Sequence, residues 1–131
     1  MRGLVAKTAL RVLLAAGMVY VGVGHFRNPA PFVSIVPEWL PNPRALVAIS
    51  GAAEIAGGVG LLVPQTRRAA AWGLIALFVA VFPANVNMAV HDIPLDGEHY
   101  PAWALWLRLP LQAVLIAWAY WLTRKEEAAP S

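Results

Sequence analysis

Glu54 is the one carboxylate in an apolar segment that runs from residue 43 to residue 63. At about 1.5 Å per residue, a helix over this segment is roughly 30 Å long, the thickness of the hydrocarbon core of a bilayer. An ionisable side chain near mid-depth is costly unless it faces protein or water and has a partner, so Glu54 is the first candidate functional residue. The positions three and four away on its helical face carry almost no side-chain bulk, which lets another helix approach closely: Ser50, Gly51, Gly57 and Gly58.

Arg108 is the basic counterpart, because it lies inside the last apolar segment of the chain. Gln112 is four residues further on and shares its helical face. Measured from the same side of the membrane, Glu54 lies roughly 16 Å deep and Arg108 roughly 9 Å deep at the rise of an α-helix. An extended Arg side chain covers much of this difference. We therefore expect Glu54 and Arg108 to be paired directly, or to be bridged through water or a ligand.

Two asparagines and two histidines lie near the ends of other apolar segments, on the same side of the membrane. Asn85 and Asn87 follow Pro83, which removes one backbone hydrogen bond and commonly kinks a helix. Amides in a membrane segment either hydrogen-bond to other helices and freed backbone groups, or contact a ligand. His25 and His91 lie near the same level. The sequence predicts a ligand-binding polar pocket in the outer half of a bundle, formed by Glu54, Arg108, His25, Asn85, Asn87, Gln112 and His91, with no comparable cluster in the cytoplasmic half.

Two other interpretations of these residues are weighed against a pocket. A buried ion pair often only fixes which helices pack together, since desolvation can cancel the attraction between the charges. A zinc site needs three or four ligands. The three histidines, with Glu98 or Asp92, lack a paired spacing such as HxxxH, so neither a metal nor a haem is predicted.

The composition places the chain among integral membrane proteins. It is 60% hydrophobic and 13% charged, against roughly 45–50% apolar and 25% charged in soluble domains. Its net charge is +3, but the basic residues cluster at segment ends as topology signals, so nucleic-acid binding has no support. There is no cysteine, which excludes disulfides and thiol redox chemistry within this chain.

The apolar pattern predicts an all-α fold, with transmembrane spans at about residues 3–24, 43–63, 67–90 and 102–123 of a single integral membrane domain, 1–131. The short basic connection at residues 65–68 forces the third span to run antiparallel beside the second, and a four-helix antiparallel bundle is the simplest arrangement. A signal peptide is the alternative at the start of the chain, but the apolar run continues to Gly24. Lys7 and Arg11 are expected to snorkel toward the headgroups, or Lys7 precedes the hydrocarbon.

Residues 25–43 contain five prolines, so they cannot form a spanning helix. Asn28 followed by Pro29 is a helix-start signal, and a short helix is predicted over residues 29–36. Its apolar and aromatic side chains suit the membrane interface. The segment is either a surface loop that dips into the headgroups or a lid over the mouth of the bundle.

The distribution of basic residues predicts the orientation. Seven of the ten Lys and Arg residues lie on the side that holds both termini: Arg2, Lys7, Arg11, Arg67, Arg68, Arg124 and Lys125. Cytoplasmic loops carry the excess of Lys and Arg, so both termini are expected in the cytoplasm of a cell whose inner (plasma) membrane holds this multi-pass protein.

Three segments together resemble the DoxX family of small four-helix membrane proteins: GVGHFRNPAPFVSIVPEWLPNP, SGAAEIAGGVGLLVP and VFPANVNMAVHD. The resemblance covers about residues 17–92, and the matching motif positions are His25, Glu54, Pro83, Asn85 and Asn87. The family name comes from a subunit of a thiosulfate:quinone oxidoreductase, and other members are associated with redox protection. The resemblance therefore implies a quinone as ligand and a soluble or membrane oxidoreductase as partner. Arg108 follows from the charge argument alone.

Three functional hypotheses remain. In the first, the chain is a quinone-linked or redox-associated membrane subunit, in which Glu54 or His25 exchanges a proton and Asn85 or Arg108 holds a carbonyl oxygen. In the second, it is a non-enzymatic, chaperone-like binding or assembly protein that docks a partner. A small-solute carrier is the third, and independent catalysis is the least favoured. The sequence leaves open whether the chain forms a homo-oligomer.

Overall fold

A computed structural model describes residues 2–91, 93 and 101–124. Five helices follow one another: α1 (Arg2–Arg27), α2 (Ala30–Ser34), α3 (Pro43–Leu62), α4 (Arg67–His91) and α5 (Ala102–Thr123). All except α2 are long and apolar enough to cross a membrane, and the described residues contain no β-strand. The predicted all-α fold with four spans and a short intervening helix is confirmed. The first span extends to Arg27, three residues beyond its expected end.

The boundaries of α3 follow from local chemistry. Pro43 is at the first turn, where its missing N–H is not needed. Asn42 before it has a φ of 49°, a left-handed conformation that Asn tolerates better than most residues. At the other end, Thr66 Oγ1 donates to the carbonyl oxygen of Gly60 at 2.9 Å. The connection to α4 is therefore a tight turn, which holds α3 and α4 antiparallel.

Helix α1 packs on α3, α3 on α4, and α4 on α5. Glycines bring α1 and α3 close together. A Cβ added at Gly51 would lie 2.7 Å from His25 Cβ, and one added at Gly58 would lie 2.8 Å from the carbonyl oxygen of Ala15. The small residues beside Glu54 thus admit a neighbouring helix as expected, and that helix is α1.

We call the end of the bundle with His25, α2 and His91 the loop end, and the end with Thr66 and Thr123 the termini end. The main apolar core lies toward the termini end and includes Leu14, Leu61, Leu74, Phe78 and Leu122. A smaller cluster at the loop end consists of Ile35, Met88, Ala89 and Leu105. Many large apolar side chains remain on the outside of the helices. Such a surface contacts the lipid bilayer, because lipid tails are as apolar as these side chains.

Candidate functional site

Glu54 lies in the middle of α3 with only 7% of its surface exposed. Its Oε2 is 3.4 Å from Nδ1 of His25, which is also buried and belongs to α1. The same Nδ1 is 2.8 Å from the carbonyl oxygen of Val21. A carbonyl oxygen only accepts, so Nδ1 carries a proton and donates it to Val21. Oε2 of Glu54 is left without a hydrogen-bond partner among the described residues.

The short helix α2 covers this pair from the loop end. Phe32 stacks on the imidazole of His25, with ring centroids 3.9 Å apart and planes 19° apart. The absence of a side chain at Gly51 lets α3 approach α1 closely at Cβ of His25. Glu54 and His25 are thus enclosed by apolar groups, and an acceptor oxygen there lacks the donor that buried polar groups normally have.

A second polar cluster joins α4 to α5. Nη2 of Arg108 donates to Oδ1 of Asn85 at 3.1 Å, and Nδ2 of Asn85 donates to Oε1 of Gln112 at 3.2 Å. Nε2 of Gln112 then donates to the carbonyl oxygen of Phe78 at 2.7 Å. Nη1 of Arg108 also lies 3.2 Å from Sδ of Met88. This is a continuous hydrogen-bonded chain from the guanidinium to the backbone of α4.

The chain of hydrogen bonds lies where Pro83 interrupts α4. Pro83 has no N–H, so the carbonyl oxygen of Val79, four residues earlier, has no helical donor, and Phe78 directly precedes Val79. Gln112 supplies a side-chain donor to this stretch of backbone. Asn85 hydrogen-bonds across helices to Arg108 and Gln112, which is one of the uses expected for the amides, and Gln112 makes the backbone contact.

Asn87 and His91 contact other groups. Nδ2 of Asn87 donates to the carbonyl oxygen of Ile35 at 3.0 Å, which ties the end of α2 to α4. His91 is exposed, and its Nδ1 lies 3.2 Å from the carbonyl oxygen of Asn87. Asn87 therefore holds α2 in place over the site, and His91 lies on the surface of the protein.

The direct ion pair expected between Glu54 and Arg108 is not found among the described residues, so that expectation is corrected. Glu54 faces His25 on α1, whereas Arg108 faces Asn85 and Met88 on α4. The reason lies in the packing, since α3 contacts α1 and α4 while α5 contacts α4. Depth along the helices places the two charges at similar levels, but it does not specify which helix each faces. A bridge through water or a ligand stays a prediction.

A family model described as a domain of unknown function, DUF8561, matches residues 14–123. This chain belongs to the DUF8561 family. The match includes all four spanning helices in whole or in part and every residue of the two polar clusters. No curated protein matches the chain, and no solved structure does.

Two basic residues that precede the DUF8561 match were not expected to be buried. Lys7 and Arg11 are only 6% and 5% exposed. Nζ of Lys7 donates to the carbonyl oxygen of Arg124 at 2.9 Å and lies 5.3 Å from the centre of the Trp121 ring. The Lys7 side chain does not snorkel outward, because the end of α5 presents carbonyl groups that attract cations. Their spacing of four residues was the available signal, since it places both on one face of α1.

Within residues 2–91, 93 and 101–124 of this DUF8561 member, no group of three or more potential metal ligands occurs. Asp92, Glu98 and His99 lie outside the described residues. Among the described residues, the two polar clusters offer the carboxylate of Glu54, the imidazole of His25 and a guanidinium–amide chain.

Proposed function

We propose that this DUF8561 member is a quinone-linked membrane subunit whose loop-end site binds the polar head of a lipid-soluble ring. The observation that supports this most directly is Oε2 of Glu54, a buried acceptor without a hydrogen-bond donor. A hydroxyl group of a reduced quinone would supply that donor. Phe32 offers an aromatic surface for the ring, and ligand sites are typically apolar with a few placed polar groups.

In this proposal, Glu54 accepts a hydrogen bond from the ligand and exchanges a proton with it. His25 is held by Val21 through Nδ1, so the imidazole has a fixed orientation beside the carboxylate. Arg108, held by Asn85, supplies a cationic donor for a carbonyl oxygen. A bound quinone would supply two-electron, two-proton redox chemistry. The electrons would come from a partner oxidoreductase, because a chain without cysteine has no thiol chemistry of its own.

The DoxX resemblance supports the same assignment, because that family is named for a subunit of a quinone-reducing complex. The proposal includes the inner (plasma) membrane as location and both termini in the cytoplasm, since seven of the ten Lys and Arg residues lie at the termini end or in the tail beyond it. The proposed site then lies toward the outer side, beneath α2. A homo-oligomer is compatible with it and is not required by it.

The test is quinone binding to the purified protein in lipid nanodiscs. Copurifying molecules are identified by mass spectrometry, and a short-chain quinol is then titrated into wild type, Glu54→Gln and the matched control Glu38→Gln. Glu38 is an exposed acid outside the spans. Loss of a hydrogen bond to a charged acceptor predicts about 10- to 100-fold weaker binding for Glu54→Gln and no change for Glu38→Gln.

The opposite result is equally informative. If Glu54→Gln binds the quinol as wild type does and only melts at a lower temperature, Glu54 has a purely structural role. The proposal would then be wrong.

A non-enzymatic binding or assembly role is the second candidate. Trp39, between α2 and α3, is 73% exposed, and an exposed Trp in a proline-rich segment suits contact with a partner or with headgroups. Replacing Trp39 with Ala would abolish partner capture in this case and leave quinol binding intact. A solute carrier is less favoured, because Leu14, Leu61 and Leu74 fill the bundle toward the termini end.

A further inference from the structure

Two prolines interrupt neighbouring helices at the same depth in the bundle. Pro83 lies inside α4 and Pro110 lies inside α5. Asn85 of α4 accepts a hydrogen bond from Arg108 of α5, and two residues toward the termini end from each of them lead to Pro83 and to Pro110. A proline has no N–H for the carbonyl group four residues earlier, which weakens or bends a helix at that point. Both helices of this antiparallel pair are therefore weakened at one level.

The apolar core is divided at the level of the two prolines. The main cluster draws on all four spans, and its members on α4 and α5 all lie on the termini side of Pro83 and Pro110. The smaller cluster draws on α4, α5 and Ile35, and its members on the two spans all lie on the loop side. Neither α1 nor α3 contributes a described residue to it. Residues 84–91 of α4 and 102–109 of α5, which we call the loop-end unit, thus share a small core of their own.

The side-chain hydrogen bond between Asn85 and Gln112 crosses the level of the prolines. Gln112 lies on the termini side, where it is bonded to the carbonyl oxygen of Phe78. Asn85 lies on the loop side, where it is bonded to Arg108. Nδ2 of Asn85 donates to Oε1 of Gln112 at 3.2 Å, so this bond joins the loop-end unit to the rest of α4 and α5.

The seam between α1 and α5 is closed at the termini end and opens toward the loop end. Lys7, Leu14 and Val21 follow one another at intervals of seven residues on one face of α1. This face is turned toward α5, because Nζ of Lys7 donates to the carbonyl oxygen of Arg124. Leu14 is 2% exposed, whereas Val21, nearer the loop end, is 36% exposed. The described parts of α1 and α5 pack together far less than α1 and α3 or α4 and α5 do.

We propose that the loop-end unit is a hinged gate, which pivots at Pro83 and Pro110 and is held closed by the hydrogen bond between Asn85 and Gln112. Breaking this bond lets the α5 side of the unit move away from α1 and widens the seam. The α4 side stays in place, because Nδ2 of Asn87 is bonded to the carbonyl oxygen at the end of α2. The hinge follows from the fold, and its use as the entrance for a lipid-soluble ligand rests on the proposed function.

The test measures distances between pairs of spin labels by pulsed electron paramagnetic resonance in lipid nanodiscs. The chain has no cysteine, so introduced cysteines are labelled without background. The loop-side pair combines Tyr20→Cys on α1 with Leu107→Cys on α5. The termini-side pair combines Leu13→Cys with Val114→Cys on the same two helices, and all four native side chains are exposed. Wild type is expected to give one distance for the termini-side pair and an additional, minor longer distance for the loop-side pair.

Gln112→Leu removes the bond that holds the gate closed. It should raise the ratio of the longer to the shorter loop-side distance about fivefold, the effect of one hydrogen bond, and leave the termini-side pair unchanged. The matched control Gln65→Leu replaces an exposed glutamine outside the spans and should change neither pair. If the longer distance is absent from Gln112→Leu, or if both label pairs respond alike, the proposal is overturned.

Removing the prolines tests the pivot. Pro83→Ala combined with Pro110→Ala restores both backbone N–H groups and should abolish the longer loop-side distance, also in the presence of Gln112→Leu. Pro41→Ala changes an exposed proline between α2 and α3 and should leave that distance as it is. A longer distance that persists without Pro83 and Pro110 would contradict a hinge at these residues.

The kinetics of quinol binding separate the hinge from its use. If the proposed function holds, the variant without Pro83 and Pro110 should bind and release a short-chain quinol more slowly than wild type, with unchanged affinity. Binding at the wild-type rate by this variant would show that the ligand does not pass the gate. If wild type binds no quinol, the proposed function fails, while the label distances still decide whether the hinge exists.

Discussion

The two ends of the bundle bury charge in opposite ways. At the termini end, the buried Lys7 and the exposed Arg68 each donate to a carbonyl oxygen at the end of α5. At the loop end, Glu54 is buried to a similar extent, but one of its oxygens has no donor among the described residues. A buried cation with a partner is an ordinary structural element, while a buried acceptor without one needs another explanation. Under the proposed function, the contrast between Lys7 and Glu54 separates a residue that holds the fold from a residue that binds a ligand.

The largest effect is expected from breaking the close helix contact at the loop end. In Gly51→Val, the new side chain starts 2.7 Å from His25 Cβ and 2.9 Å from Phe26 Cε2. Overpacking of this kind should lower the free energy of unfolding by about 3 kcal/mol. Thermal unfolding in detergent measures it, with Gly17→Val as control. An unchanged melting temperature would show that α1 and α3 are not in this register.

A smaller loss is expected from the hydrogen-bonded chain between α4 and α5. Gln112→Leu keeps the size of the side chain but leaves Asn85 Nδ2 and the Phe78 carbonyl without this partner. The expected destabilisation is about 2 kcal/mol. The same change at the exposed Gln65 is the control. If Gln112→Leu and Gln65→Leu unfold at the same temperature, the hydrogen-bonded chain between α4 and α5 does not stabilise α4 at Pro83.

The termini end is tested by Lys7→Met, which retains the apolar stem and removes the ammonium donor to Arg124. A hydrogen bond from a charged group predicts a loss of about 1.5 kcal/mol. Arg27→Met, at the exposed opposite end of the same helix, should have no effect. If Lys7→Met is as stable as wild type, Lys7 does not stabilise the fold, and the distinction between it and Glu54 is lost.

Glu54→Gln should have the smallest effect on stability and the opposite sign. The substitution replaces a carboxylate that has an unpartnered oxygen with a neutral amide, which is less costly to bury, and should stabilise the fold by about 1 kcal/mol. The melting temperature of Glu54→Gln beside that of Lys7→Met tests this directly. A drop for both variants would place Glu54 among the structural residues.

The sequence was sufficient for the spans and their order, since hydropathy, Pro43 and the short turn before Arg67 are local signals. It was also sufficient for Glu54 as a buried acid and for Gln112 as a neighbour of Arg108. The sequence did not predict which residue Glu54 faces, because the rotation of each helix about its axis depends on packing at Gly22 and Gly51. Depth alone could not distinguish His25 on α1 from Arg108 on α5.

The sequence did not predict the burial of Lys7 and Arg11 at the termini end, for a related reason. Whether Lys7 snorkels or turns inward depends on how close the last carbonyls of α5 lie to α1, and this is a property of the assembled bundle. A cation near a helix start has both options in isolation. Only the tertiary arrangement decides between them.

The stack of Phe32 on His25, together with the tie from Asn87 to Ile35, determines how a molecule can reach Glu54. Arrival from the aqueous phase would require α2 to lift and both contacts to break. Arrival between the helices, sideways from the hydrocarbon, leaves them in place. Under the proposed function, a ligand must first partition into the hydrocarbon of the membrane. A water-soluble molecule would therefore not reach Glu54.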